Sequence, residues 1–285
     1  MSYSSAARTD PSAASLLSRA TLLLEKERLG PLYSTLVLCA FGNAVFEDIR
    51  KVFVEDGVVS ALLTGGGVHP VLLFSVLWVA WALWKMPLES RLPLWAERLV
   101  IGLVALLLYL PLTWFSWVAL TILGGRVLLS DRKLGILSIY LTVPKFWGLI
   151  LVMAIGTPVL TIDAYVTALA AGYESSANFV VPTDGNDPVL ILWACSSFHG
   201  ISYMLLAWLA YSVVNKVSPL RGLNWLAAGI AGVVLINWMR LFAMIRFMDL
   251  YEPLHDGVAG EVVGLLTTFW IIGLASMGRK SAVRA

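Results

Sequence analysis

The sequence predicts an all-α integral membrane protein, built as a bundle of about eight transmembrane helices. Hydrophobic residues make up 59% of the 285 residues and charged residues only 13%, whereas soluble domains carry about 25% charged residues. Long apolar stretches alternate with charged loops. Because a bilayer core offers the backbone no water as a hydrogen-bond partner, such stretches form helices. Membrane lipid is therefore an expected partner, and a net charge of +2 is too small to indicate nucleic acid.

The N-terminal residues 1–30 are predicted to form a cytoplasmic tail. Their first part is polar and rich in serine and alanine. Within residues 13–29, leucines recur at helical spacing among Arg19, Lys26 and Arg28. This pattern predicts an amphipathic helix that lies on the inner membrane surface.

A single transmembrane domain is predicted over residues 31–278, followed by a basic cytoplasmic tail over residues 279–285. The stretch 99–129 is apolar for too long to be one simple helix, and Pro111 predicts that it folds as a hairpin of two spans. The predicted spans cover residues 31–46, residues 69–86, two helices within 99–129, one helix that begins near 134, and residues 196–214, 223–242 and 258–277.

Glycine, proline and charged residues predict where the other elements begin and end. Gly42 and Asn43 interrupt the first span, and a charged loop is expected from residue 47 onwards. Beyond the fifth span, an interfacial helix near 159–171 is expected at the outer surface. Residues 178–193 predict a short β-hairpin around Asp184, Gly185 and Asn186, because two extended runs flank a turn sequence.

The placement of lysine and arginine predicts the orientation of the chain. With the C-terminal tail in the cytoplasm, alternation of the spans puts most basic residues on the cytoplasmic side. Most acidic residues then lie on the opposite side. Both termini are therefore expected inside, and residues 173–194 and 246–257 outside.

A chemically suggestive cysteine stands at the outer start of the sixth span. Cys195 follows an extended apolar run, and Ser196 and Ser197 come next, in the first turn of the predicted helix. A helix N-terminus carries partial positive charge and free N–H donors, which favour a thiolate over a thiol. Cys195 is therefore a candidate nucleophile, although an isolated cysteine in a membrane helix more commonly serves for packing.

Two further residues are predicted to lie at the same membrane face as Cys195. Arg240 is at the outer end of the seventh span, and His255 comes just before the eighth. Three groups are sufficient for acyl transfer: a thiolate, an imidazole that moves protons and a guanidinium that stabilises an oxyanion. Asn237, one helical turn before Arg240, is expected to orient it.

Each of these residues also has a structural interpretation. Arg240 can anchor the helix at the interface or pair with Asp249 or Glu252, although an arginine beside an apolar span is costly. His255 can be a loop histidine paired with Asp256.

Two other histidines compete for a role in the site. His199 follows Cys195 by four residues and so shares its helix face one turn deeper, and His69 is also placed outside. Cys195, His199 and His255 are chemically able to bind zinc. No local pair has a strong metal spacing such as CxxC or HExxH, so no metal and no cofactor are expected.

At these residues the chain resembles the exosortase/archaeosortase family. The segments that carry the resemblance are ACSSF around Cys195, NWMR with Asn237 and Arg240, and LHDGVAG with His255. The run LSIYLTVP at 137–144 is similar to an apolar family segment that ends in proline. Ser197 stands where the family has glycine, and His199 where it often has arginine.

The resemblance implies a multispanning cysteine transpeptidase or protease of the bacterial inner membrane, with an exosortase-like domain over 31–278. Its expected substrate is a membrane-anchored protein with a C-terminal sorting signal, cut at the outer (periplasmic) face. Cys195 would be the nucleophile, His255 the acid/base and Arg240 the stabilising group, with His199 and Ser196 in support. Exopolysaccharide machinery is an expected partner, because some relatives accompany it.

The alternative from another class is a non-enzymatic transporter or an exopolysaccharide-export component. In that case Arg240 and Arg246 would bind an anionic group, and Cys195 would only pack. A transporter of this kind typically contains inverted repeats with helices broken at the midplane. The sequence contains no convincing repeat, and its polar residues gather at one surface.

Overall fold

A computed structural model describes residues 29–55, 67–88, 92–110, 112–183, 185, 187–255 and 257–284. The predicted amphipathic helix at 13–29 therefore lies almost wholly outside the described residues. Most of the described chain is helical. The helices are α1 (Leu29–Glu55), α2 (Pro70–Lys85), α3 (Leu94–Tyr109), α4 (Thr113–Leu128), α5 (Arg132–Tyr140), α6 (Gly148–Ile155), α7 (Thr157–Ala171), α8 (Ser197–Val214), α9 (Leu223–Arg246), α10 (Tyr251–His255) and α11 (Val258–Arg284).

Several of these helices have the length and apolar composition that a bilayer requires. In the described part of the chain, five helical segments are long and apolar enough to cross a membrane. The predicted all-α protein with membrane-spanning helices is confirmed in this coarse form. The apolar helices α2, α4 and α7 are shorter. The five long segments are Leu29–Val54, Arg132–Leu151, Ser197–Val214, Leu223–Arg246 and Val258–Gly278.

The first helix is longer than the sequence predicted. α1 continues through Gly42 and Asn43 and ends at Glu55, so the loop expected from residue 47 was wrong over 47–55. Asn43 is accommodated because its amide donates a hydrogen bond to the backbone carbonyl of Leu108 in α3, at 3.1 Å. A side chain that is satisfied by a neighbouring helix no longer competes with the backbone of its own helix.

Proline does not end the fifth span. Val143–Trp147 forms a π-helical turn that contains Pro144 and joins α5 to α6. The backbone N–H of Trp147 bonds to the Thr142 carbonyl at 3.2 Å, so the ladder resumes directly after the proline. A π-turn is a recognised way to accommodate such an interruption.

At the C-terminus, α11 extends to Arg284. The predicted tail over 279–285 is therefore helical over nearly its whole length, as a continuation of the last span.

The predicted hairpin is present and is part of a larger sheet. Strand β2 (Phe179–Val181) pairs antiparallel with β3 (Val189–Leu190), with Val180 opposite Val189. An additional strand that the sequence did not indicate, β1 (Glu174–Ser176), pairs antiparallel with β2. The order in the three-stranded sheet is β1-β2-β3.

The helices pack around two separate apolar cores. The larger core joins α1, α2, α3, α4, α5, α8, α9 and α11. α4 and α5 approach closely at Gly135, where an added Cβ would lie 2.2 Å from the backbone of Leu128. The smaller core lies between α7, the sheet and α9, and it contains Cys195. The nucleophile candidate is thus packed into a small, distinct core.

A buried ion pair fastens three helices together at one end of the bundle. Arg126 of α4 bonds through Nε to both carboxylate oxygens of Glu97 in α3, each at 2.9 Å. Tyr33 of α1 donates to Glu97 at 2.6 Å, and Arg126 also donates to Ser130 at 2.8 Å. The charged side chains of the pair are almost fully buried, so each charge depends on the other for compensation.

Removal of one member of this pair should destabilise the protein strongly. We expect Arg126→Met to lower the free energy of unfolding by about 3–5 kcal/mol, because Glu97 is left charged and buried. The double variant with Glu97→Met should recover much of that loss. The measurement is unfolding of the purified protein in mixed micelles. Glu47→Gln, at an exposed pair with Arg50, is the control and should change stability by about 1 kcal/mol or less.

Candidate active site

Cys195 lies directly before the N-terminus of α8. It is the last residue of a single 3₁₀ turn, Trp193–Cys195, and Ser196 is the N-cap of the helix. The Cys195 side chain is buried in the smaller apolar core. The turn and the helix start together fix the direction of the thiol.

The structure brings Cys195 and His255 into contact across 60 residues of sequence. Cys195 Sγ lies 3.6 Å from His255 Nε2, which allows a hydrogen bond in either direction. His255 ends the short helix α10, and its ring stacks on Tyr251 with ring centres 5.4 Å apart and planes at 6°. The stack holds the imidazole with Nε2 towards the thiol.

Arg240 lies on α9 without a salt bridge to Asp249 or Glu252 among the described residues. Its Nε is buried and has no hydrogen-bond partner there. The structural interpretation of Arg240 as one half of an ion pair with either acid was therefore wrong. Its Nε therefore remains available to donate a hydrogen bond to a ligand.

Asn237 contacts the segment around Cys195 rather than Arg240, which corrects the role expected for it. Its side-chain amide donates to the Cys195 carbonyl at 2.9 Å and to Ser197 Oγ at 3.3 Å. Asn237 therefore fixes the backbone of the turn that carries the thiol.

A buried carboxylate that the sequence analysis missed supports the whole site. Asp163 of α7 accepts hydrogen bonds from the Ser197 backbone N–H, from Ser197 Oγ and from Trp238 Nε1, each at 2.8 Å. It is 2% exposed. The sequence did contain a signal for this role, because Asp163 is an acidic residue within the apolar stretch TIDAYVTAL. Such a residue costs free energy unless its carboxylate is hydrogen-bonded or paired.

Asp163 also changes the electrostatics expected at the start of α8. It caps the helix from a neighbouring helix, while Ser196 at the N-cap makes no side-chain capping bond. A carboxylate at a helix N-terminus offsets the partial positive charge there. The helix end therefore contributes less to thiolate stabilisation than the sequence suggested, and His255 is the group in direct contact with the thiol.

The other two histidines form an aromatic stack with Tyr203 rather than with the thiol. The rings of His69 and Tyr203 are stacked 3.9 Å apart, and His199 meets Tyr203 edge-on at 5.1 Å. His69 Nδ1 accepts the Val71 backbone N–H as the N-cap of α2. Within the described ranges, no group of three or more potential metal ligands is assembled.

A cavity of about 250 Å³ lies beside the turn that carries Cys195. Ser196, His199, Asn237 and Arg240 form its polar side. Three atoms of this lining are buried and have no hydrogen-bond partner in the described part of the chain: Ser196 Oγ, His199 Nδ1 and Arg240 Nε. The site thus joins a thiol–imidazole contact to a pocket with unused hydrogen-bonding capacity.

No protein-family model matches this chain, and neither curated proteins nor solved structures give a match. The argument for function therefore depends on the residues and geometry of the site itself.

Asp163→Asn should weaken the fold around Cys195. We expect the free energy of unfolding to fall by about 1.5–3 kcal/mol, the contribution of a hydrogen bond to a charged group. The reason is that asparagine has an NH₂ group in place of one carboxylate oxygen. That group would face one of the three donors whose hydrogen bonds Asp163 now accepts. Thermal unfolding in detergent, with the rate of Cys195 alkylation as a local probe, measures both effects. Asp187→Asn, at an exposed acidic residue, should stay within about 0.5 kcal/mol; equal behaviour of the two variants would contradict the assigned role.

Proposed function

We propose that the protein is an exosortase-like membrane cysteine transpeptidase or protease. Its substrate class is a membrane-anchored protein that carries a C-terminal sorting signal. The observation that carries the proposal is the 3.6 Å contact between Cys195 Sγ and His255 Nε2. A nucleophile and a base within reach of one another, from separate parts of the chain, are the minimum that covalent catalysis requires.

The reaction begins with transfer of the Cys195 thiol proton to His255. The thiolate attacks the carbonyl carbon of the scissile peptide bond, and the carbonyl oxygen becomes an oxyanion. Arg240 supplies positive charge to that oxygen. The intermediate collapses to a thioester when the C–N bond breaks, and His255 gives its proton to the departing amine. Water or an acceptor amine then attacks the thioester and releases the thiol.

His255 is a better candidate for the base than His199. His199 packs edge-on against Tyr203 and lines the cavity, whereas His255 is in contact with the thiol. His199 is placed to touch a bound group in that cavity.

We propose eight membrane spans, with the site at the outer face of a bacterial inner membrane. The five long segments together with α2, α3 and α4 supply that number. Cys195 at the start of α8 and His255 before α11 then lie at the same end of the bundle. The sheet between α7 and α8 lies at that end too, and both termini face the cytoplasm.

The transporter alternative requires Arg240 and Arg246 to bind one anion together. Arg246 is exposed at the end of α9 and lines neither cavity that Arg240 lines. That arrangement favours separate roles for the two arginines.

Loss of any catalytic group should stop processing. Cys195→Ala and Cys195→Ser should lower cleavage at least about 100-fold, and His255→Ala should have an effect of similar size. His199→Ala should retain partial activity. Arg240→Lys keeps the charge but loses the planar fork, so it should also fail.

The measurement is mass spectrometry of the C-terminal peptides of envelope proteins, in cells with the unmodified protein or each variant at equal membrane levels. Substrates should lose their C-terminal helix only in cells with the active protein. Equal processing in cells that carry a well-expressed Cys195→Ala protein would end the enzyme hypothesis. If the His255→Ala protein kept partial activity and the His199→Ala protein had none, the roles assigned to the two histidines would be exchanged.

Single-cysteine labelling tests the topology. With Cys39 and Cys195 replaced, a cysteine at Asp187 should react with an impermeant maleimide in intact cells. A cysteine at Ser218, between α8 and α9, should react only after the membrane is opened. The reverse pattern would invert the proposed orientation.

A further inference from the structure

Arg240 stands where two cavities meet. One is the polar cavity of about 250 Å³ beside Cys195, and the other is a groove of about 730 Å³ between α9 and α11. Ile236, Arg240 and Val263 line both. A ligand that fills both spaces therefore passes directly by the guanidinium.

The polar cavity suits an anionic, oxygen-rich group. The unpartnered atoms in its lining are Ser196 Oγ, His199 Nδ1 and Arg240 Nε, and Ser196 is 2% exposed. No carboxylate is among the described residues that line it. Buried polar atoms without partners cost free energy, and a group that accepts hydrogen bonds and carries negative charge would satisfy the guanidinium and the hydroxyl.

The groove is apolar apart from Arg240. Its other lining residues are aliphatic, aromatic, methionine or glycine, and its volume falls in the range of about 300–1,000 Å³ for small-molecule sites. Along α11 the lining runs from Val263 to Met277, which is about 21 Å at 1.5 Å per residue. Arg240 and Leu254 mark the end of the groove nearest the catalytic pair.

We propose that an anionic phospholipid binds here, with its phosphate at Arg240 and one acyl chain along the groove. A single amphiphile explains why a charged cavity continues into an apolar groove. Arginine offers five N–H donors, so a bound phosphate leaves donors free for the reaction.

The polar half of this site is tested by lipid retention. The full-length Cys195→Ala protein, purified in neutral detergent, is offered equal amounts of dioleoyl-phosphatidylglycerol and dioleoylglycerol, which has the same acyl chains and no phosphate, and is examined by native mass spectrometry. The anionic lipid should be retained about tenfold more than the neutral one, as one charge-assisted contact implies. Arg240→Gln should abolish that preference, and Arg246→Gln, on the same helix outside both cavities, should keep it.

The apolar half is tested by filling the groove. An added Cβ meets nothing within 4 Å at Gly273, which lines the groove, or at Gly102, which does not. Gly273→Leu should lower retention of both lipids several-fold, and Gly102→Leu should leave it unchanged. Equal retention of the two lipids by the starting protein, or an unchanged preference in Arg240→Gln, would overturn the proposal. Displacement of phosphatidylglycerol by a glutamate-bearing helical peptide, but not by its glutamine analogue, would assign the site to the substrate instead and equally overturn it. Because the protein tested lacks the thiol, these outcomes are independent of whether it is an enzyme.

Discussion

The carboxylate of Asp163 is the interaction on which the arrangement of the site depends. It accepts three hydrogen bonds from α8 and α9 while it belongs to α7, so one buried charge sets the relative positions of three helices. Cys195 lies directly before the start of α8. Asn237 holds the same turn in place because its side-chain amide donates a hydrogen bond to the Cys195 carbonyl. A buried charge is tolerated only when it is fully bonded, which makes this geometry specific.

Two arginines, the buried Arg126 and the partly buried Arg240, have opposite surroundings. Arg126 is neutralised by Glu97 and bonded to Ser130, and this cluster fastens helices together. Arg240 has a buried Nε that finds no hydrogen-bond partner among the described residues, and it lines two cavities. An arginine paired with a carboxylate contributes to structure, whereas a guanidinium with an unused donor can bind an anion or a developing negative charge.

The local sequence pattern was sufficient to predict most of the helices and strands. It was insufficient to predict where several of them begin and end. The hairpin signal around Gly185 correctly predicted the pairing of β2 with β3, but a third strand was missed. Gly42 and Asn43 were predicted to interrupt the first span, and the chain remains helical through both. It also remains helical through Pro144. At Asn43 the outcome depended on a neighbouring helix, because the Leu108 carbonyl accepts a hydrogen bond from its side chain. At Pro144 it depended on a local π-helical turn. A short stretch of sequence does not reveal such partners.

The sequence by itself determined the class of the protein and the residue types of the site, because apolar composition requires helices in a bilayer and cysteine, histidine and arginine each have a limited chemistry. It also placed Cys195 at a helix start, since the turn and the apolar run are local features. The family resemblance favoured His255 over the nearer His199. However, only the tertiary structure shows that His255 contacts the thiol and that His199 packs against Tyr203. It alone revealed Asp163 as the anchor, because hydrogen bonds between α7, α8 and α9 depend on how helices pack, and packing joins residues that no local pattern relates.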